Sequence, residues 1–204
     1  MKQNNNRIKV VGVTGGVGSG KSVVMRMLEE EFGARIILAD LVAHDLMEPG
    51  AVSYKQIVDH FGTEILASDG TIDRPSLSQL VFSDQDKLSV LNQITHPNVK
   101  KEILSRIETY QKEGTASLIA VEAALLIEEG YQEFFDEMWF VYVDEDTRIR
   151  RLMEGRGYSE EKSRSIMEQQ LGEEEFVAHC DKVIDNNRGL EELRAQLQQS
   201  GVFD

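Results

Sequence analysis

Gly15, Gly16, Val17, Gly18, Ser19, Gly20, Lys21 and Ser22 form the pattern G-x-x-x-x-G-K-[ST] directly behind an apolar run at 10–13. This pattern constrains the fold more than any other segment. Its chemistry requires a buried strand, a tight turn and a helix whose N-terminus faces back toward the turn. Four glycines in six residues let the backbone curl its N–H groups into a concave nest. The partial positive charge of the following helix points at the same place. Such a cradle fits the phosphates of a nucleoside triphosphate, with Lys21 reaching the β- and γ-phosphates and the Ser22 hydroxyl ligating Mg²⁺.

Short β-branched runs recur at 8–13, 35–39, 117–121, 138–143 and 182–184, separated by helical patterns. Strands alternating with helices predict a parallel sheet. Runs such as Ile36-Ile37-Leu38 and Ile119-Ala120-Val121 are continuous rather than alternating, so both faces should be covered. The expected fold class is therefore α/β, a three-layer α/β/α architecture of the P-loop NTPase kind on a parallel five-stranded sheet. Ligands of such sheets bind beyond the carboxyl ends of the strands. Here those ends carry Thr14, Asp40, Glu122, Asp144, Asp185 and Asn186.

Roughly 75 residues separate the second and third strands, far more than one crossover helix needs. They imply a helical insertion, with helices at 51–61, 75–82, 85–94 and 96–111. A turn at Asp69-Gly70 lies within it, Pro75 is expected at a first helical position, and His96-Pro97 opens the last helix. The stretch 62–72 has no clear period. The 204 residues suffice for one well-buried core with elaborations. We expect one domain: a core at about 7–47, 114–146 and 176–204, an insertion at about 48–113 and a lid at about 147–175.

The net charge of −14 repels a phosphodiester backbone and an anionic membrane face, so neither nucleic acid nor membrane is an expected partner. A single cysteine, Cys180, excludes an internal disulfide and any multi-cysteine metal site. Met1 to Asn6 lack the apolar core of a secretory signal, and the longest apolar stretch, 118–127, is interrupted by Glu122 and too short for a span. A cytoplasmic protein is the default expectation.

Asp40 closes the second strand and is a candidate general base beside the phosphates. Its alternative is a plain cap on the helix 41–47. Glu122 interrupts a buried strand and needs a partner. It could stand near Mg²⁺, hold the glycine loop by a hydrogen bond, or be an ordinary strand-end carboxylate. Glu128 and Glu129 read as the solvated end of a helix. Arg148, Arg150, Arg151, Arg156, Lys162 and Arg164 place six of the chain's 22 basic residues within 17 positions. Gly155-Arg156-Gly157 breaks this segment into two helices, as a lid closing arginines over a triphosphate would require. Solvated i,i+4 pairs with glutamates are the plainer account of some of them. His44, His60 and His179 have no metal-like spacing.

An ordered set of motifs extends this reading. It comprises 13–22 with its doubled glycine, Ala39-Asp40 with Ala43, Phe61-Gly62, and 70–74 with Leu77. It continues through Val81-Phe82, His96-Pro97, Leu125-Leu126 with Glu128, Arg151-Leu152, Gln169 and 181–186. In these the chain resembles the dephospho-CoA kinase family, whose members phosphorylate the ribose 3′-hydroxyl of dephospho-CoA. The resemblance implies ATP as co-substrate with Mg²⁺ held at Ser22. It implies Asp40, Lys21 and Arg151 as catalytic residues. Nucleotide contacts would come from Gly16, Val17, Gly18, Ser19, Gly20, Lys21, Ser22, Val23, Arg148 and Arg156. Acceptor contacts would come from Thr14, Asp40, Arg74 and His96. It also implies small-molecule substrates and a monomer or weak homo-oligomer. A regulatory GTPase would need N-K-x-D, which is absent from the sequence. The remaining alternative is another P-loop nucleoside or nucleotide kinase with a different acceptor.

Overall fold

The computed structural model describes residues 7–123 and 126–203. Met1 to Asn6, Ala124 and Leu125, on which some of the expectations above fall, lie outside the described residues. In chain order the elements begin with β1 (Lys9–Thr14), α1 (Lys21–Phe32), β2 (Arg35–Leu38), α2 (Ala39–Leu46) and α3 (Val52–Phe61). They continue with α4 (Arg74–Phe82), α5 (Gln85–Glu113), β3 (Leu118–Glu122) and β4 (Glu137–Tyr142). The chain closes through α6 (Glu145–Arg156), α7 (Glu160–Glu168), α8 (Glu173–His179), β5 (Lys182–Asp185) and α9 (Leu190–Gln198). Two compact units result, one spanning Leu38–Glu108 and the other formed by the described residues on either side of it.

The flanking unit carries a five-stranded sheet in the order β2-β3-β1-β4-β5. β1 runs parallel to β3, with Val10 opposite Ile119 and Val11 opposite Ala120, and parallel to β4, with Val13 opposite Trp139. β4 in turn runs parallel to β5. Val10, Val11, Val13, Ile119, Val121, Trp139 and Val141 are all fully buried, so helices cover both faces, as the continuous apolar runs require. The connection from β1 leads to one side and that from β3 crosses to β4 on the other. The direction of sheet growth therefore reverses beside β1, where α/β sheets open a ligand crevice. The glycine loop follows β1 and sits at that point.

The Leu38–Glu108 unit has its own core of Ile57, Phe61, Ile65, Ile72, Leu77 and Val81, with Tyr54, Leu88, Leu91 and Ile94 packed against it. Its aperiodic stretch becomes a short 3-10 turn, Thr63–Ile65, and an antiparallel bridge between Leu66 and Ile72. Three expectations are corrected here. The helix at Asp73 starts with Arg74, so Pro75 is its second residue; the Asp73 carboxylate caps it by accepting from the Ser76 N–H at 3.2 Å. The two helices expected at 85–94 and 96–111 are one 29-residue helix with Pro97 inside it. Proline withholds one backbone donor, and polar side chains bond the neighbouring carbonyls: Asn98 Nδ2 donates to Ile94 O at 2.8 Å and Thr95 Oγ1 to Leu91 O at 2.9 Å. In the first unit, 126–130 form a turn rather than a helix ending at Glu129.

Candidate active site

β1 ends at the buried Thr14, and the glycine loop runs from there to Lys21, the first residue of α1. Gly20 caps α1 in the left-handed region at φ 87°, and a Cβ on it would fall 2.3 Å from Asn186 Nδ2. Both the backbone angle and the close approach call for glycine there. No side chain caps α1 and its first turn holds no acidic residue, so nothing in that turn offsets the positive end of the helix, which suits an anion. The Lys21 ammonium curls back to donate to Gly15 O at 2.8 Å and stands 3.8 Å from Glu122 Oε1. Glu122 thus has the partner its burial demanded, and it is the glycine-loop lysine.

Thr14 Oγ1 and Ser19 Oγ are buried without a hydrogen-bond partner among the described residues. A buried hydroxyl left unpaired costs about 1–3 kcal/mol, a cost that a bound ligand or ordered water would remove. Both lie on the loop and its entry, a donor set that fits a phosphate-bearing ligand. Ser22 is exposed in the first turn of α1 and Val23 is half-buried behind it. Among the described residues no group of three or more His, Cys, Asp or Glu side chains could hold a metal ion.

The six cations of the 148–164 segment sort into distinct roles. Arg148 lies flat over the loop: its Nε donates to Val17 O at 3.1 Å and its Nη2 to Gln170 Oε1 at 2.8 Å. Burial lowers its pKa, and Glu145 works against that. Arg151 donates to Ser19 O at 3.2 Å and to Asn186 O at 2.9 Å, and Asn186 Nδ2 adds a bond to Ser19 O at 2.8 Å. Two guanidinium groups therefore grip the loop through its carbonyls. Arg164 instead pairs with Glu145 and Glu160, and Lys162 sits 3.9 Å from the Tyr158 ring centroid. Arg150 and Arg156 are exposed.

Of the predicted nucleotide contacts, the structure brings the loop residues 16–23 together with Arg148, while Arg156 lies at the far end of α6; Arg151, predicted as catalytic, also lies against the loop. The helix break falls later than the sequence suggests: Gly155 and Arg156 lie inside α6, Gly157 ends it in the left-handed region at φ 65°, and Ser159 caps α7 by accepting from the Lys162 N–H at 3.1 Å. A cavity of about 330 Å³ opens between β4, α6, α7 and α8, lined by Tyr142, Arg148, Arg164 and Met167 among others. Its aromatic wall is the stacked pair Phe140 and Phe176, with centroids 4.6 Å apart.

Sequence reasoning missed the role of Gln170, whose Oε1 also accepts from the Val17 N–H at 3.0 Å. The neighbouring Gln169 had been singled out, and no spacing distinguishes the two. Asn186 is legible in the sequence as a strand-end residue and as the last residue of the 181–186 motif, but not as a partner of Ser19. The Asp144 carboxylate accepts from the Thr147 N–H at 2.8 Å, which holds it below the usual carboxylate range.

In the other unit Asp40 is exposed in the first turn of α2. The helix is capped at Leu38 without a side-chain bond, so Asp40 is not spent as a cap. Arg74 is exposed at the start of α4, and the Asp73 carboxylate beside it accepts from the Ser76 N–H and hydroxyl. His96 is half-buried on α5.

Comparison with known proteins adds an independent line. The sequence model of the dephospho-CoA kinase family matches residues 9–192. A dephospho-CoA kinase from Carboxydothermus hydrogenoformans is 41% identical over 190 residues, 93% of this chain and 91% of the relative. Among solved structures, a Thermus thermophilus protein superposes with a TM-score of 0.78 at 28% identity, covering 94% of this chain and 95% of that one. A dephospho-CoA kinase from Campylobacter jejuni superposes with a TM-score of 0.68 at 25% identity, covering 92% of each chain.

Proposed function

Since the chain belongs to the dephospho-CoA kinase family, we propose that it transfers the γ-phosphoryl group of ATP to the ribose 3′-hydroxyl of dephospho-CoA, yielding CoA and ADP. The observation that carries the donor half is the N-terminus of α1, without side-chain cap or first-turn acid, under a loop that returns the Lys21 ammonium to Gly15 O. The backbone N–H groups and the helix end would hold the phosphates, and Lys21 would neutralise the charge that builds up as the γ-phosphoryl group moves. Lys21 would exchange its 3.8 Å contact with Glu122 for the more highly charged phosphate oxygens.

Asp40 is proposed as the base that takes the proton from the attacking hydroxyl, a role its exposed carboxylate, unused for capping, leaves open. Arg74, His96 and Thr14 are proposed acceptor contacts, with 48–113 as the acceptor-binding insertion and 147–175 as the lid. Arg151 and Arg148 act on the donor through the loop they grip, and Arg156, which like Arg150 is exposed, is proposed as a lid contact to a bound nucleotide. A Mg²⁺ ion held at Ser22 would supply positive charge to offset that of the transferring phosphoryl group. Ser22, exposed in the first turn of α1, is the proposed protein ligand, and a site without a cluster of acidic or imidazole ligands among the described residues suits a metal that keeps most of its water. Small-molecule substrates without nucleic acid or membrane accord with a net charge of −14.

The test is ADP release from Mg-ATP against dephospho-CoA, adenosine, uridine, AMP and pantetheine derivatives. Turnover is expected with dephospho-CoA. Turnover with another acceptor and none with dephospho-CoA refutes the proposal.

A further inference from the structure

Val17 sits in a loop whose neighbours Gly15 and Gly18 take positive φ and whose other neighbour is Gly16, so the local backbone has little intrinsic preference for one shape. Both of its backbone polar groups are nevertheless occupied. Its N–H donates to Gln170 Oε1 at 3.0 Å, its carbonyl accepts from Arg148 Nε at 3.1 Å, and Arg148 Nη2 donates to that same Gln170 oxygen at 2.8 Å. The three bonds form a closed ring of one backbone residue and two side chains. A carbonyl oxygen has two lone pairs, and Gln170 Oε1 uses both within the ring.

Gln170 lies between the end of α7 at Glu168 and the start of α8 at Glu173. The ring therefore joins the far end of the α6–α7 hairpin to the donor loop, and Arg148 brings in α6 itself. A charged donor makes one of the two bonds to Gln170, which places it among the stronger hydrogen bonds.

We propose that Gln170 is a positioning residue for the donor nucleotide: it holds the peptide planes around Val17 in the phosphate-binding shape and ties that shape to the α7–α8 junction. Two consequences follow. Losing the oxygen relaxes the loop, so nucleotide binding must then supply the ordering and weakens by that amount. The coupling is also reciprocal, so a bound nucleotide stabilises the α7–α8 junction.

The inference rests on the kinase reading for its ligand, but it is tested without turnover, so failure of the kinase assay is a separate result. Binding of a non-hydrolysable ATP analogue with Mg²⁺, and of dephospho-CoA, is measured by calorimetry on the wild type, Gln170→Ala and Gln170→Glu. Glutamate keeps a two-bond acceptor at the same reach, whereas alanine removes it. We expect Gln170→Ala to weaken the ATP analogue about tenfold, the scale of one lost hydrogen bond. Dephospho-CoA should change by no more than about twofold, and Gln170→Glu should restore analogue binding to within about threefold. In the wild type the analogue should slow amide exchange at 169–172, and in Gln170→Ala it should not. An unchanged analogue affinity in Gln170→Ala overturns the proposal. So does equal weakening of both ligands, or a Gln170→Glu variant as impaired as alanine.

Discussion

Gly16→Ala tests how the donor loop is held. Gly16 is the second loop residue and has no positive φ to demand glycine, so its backbone would accept alanine. What excludes a side chain is Arg148: a Cβ on Gly16 would lie 2.2 Å from Nη2 and 2.5 Å from Cζ of that residue. The guanidinium would have to swing away and give up its bonds to Val17 O and Gln170 Oε1. Bonds of this charged kind contribute about 1.5–3 kcal/mol each, and a half-buried guanidinium regains water as it leaves, so we expect a net loss of about 2 kcal/mol. For a chain of this size that lowers Tm by about 4–8 °C.

The same substitution in an Arg148→Ala background meets no clash. There the stiffer unfolded chain makes Gly16→Ala neutral or stabilising by up to about 1 kcal/mol. Calorimetric unfolding of the wild type, both single variants and the double variant closes the cycle, with an expected coupling of about 2–3 kcal/mol. If Gly16→Ala costs the same in both backgrounds to within about 0.5 kcal/mol, contact with Arg148 is not what keeps position 16 a glycine.

Two further outcomes follow from the site and its surroundings. Asp40→Asn should cut kcat by a factor on the order of 10² to 10⁴ with ATP binding retained, read from steady-state kinetics alongside calorimetry; an unchanged kcat removes Asp40 as the base. Cys180 has its thiol pushed up to about 11 by burial, with Asp181 adding to the effect. Because a raised pKa keeps the thiol protonated, its thiolate fraction at pH 8 is about a hundredth of an unfolded-chain thiol's. Alkylation by iodoacetamide should accelerate about that much on unfolding in urea and rise with pH toward 11 in the folded protein. Equal rates in folded and unfolded chains at pH 8 would refute the assignment.

The strands were legible because each is a contiguous β-branched run, and the loop was legible because a phosphate cradle is built from eight consecutive residues. Pro97 was misread because the local rule that proline ends helices ignores Asn98 and Thr95, whose side chains bond carbonyls of the preceding turn. Asp40 kept two readings in the sequence, since a strand-end aspartate before a helix is equally a base or a cap. The helix start at Ala39 removed the second.

What the sequence by itself determined is the class of the molecule and the half of the chemistry that is local: a parallel α/β sheet, a triphosphate cradle at the end of its first strand, a long helical insertion and a basic hairpin. What only the tertiary structure decided is which side chain answers to which. Six cations within 17 residues are equivalent in the sequence, yet two grip the loop, two turn to carboxylates or a ring, and two face solvent. Gln170 reaches Val17 across 153 residues while Gln169 beside it does not. A periodicity or motif records forces between near neighbours in the chain. Partners that far apart meet only after the sheet has set the ends of its strands and the hairpin has packed, so their meeting leaves no mark in the order of residues.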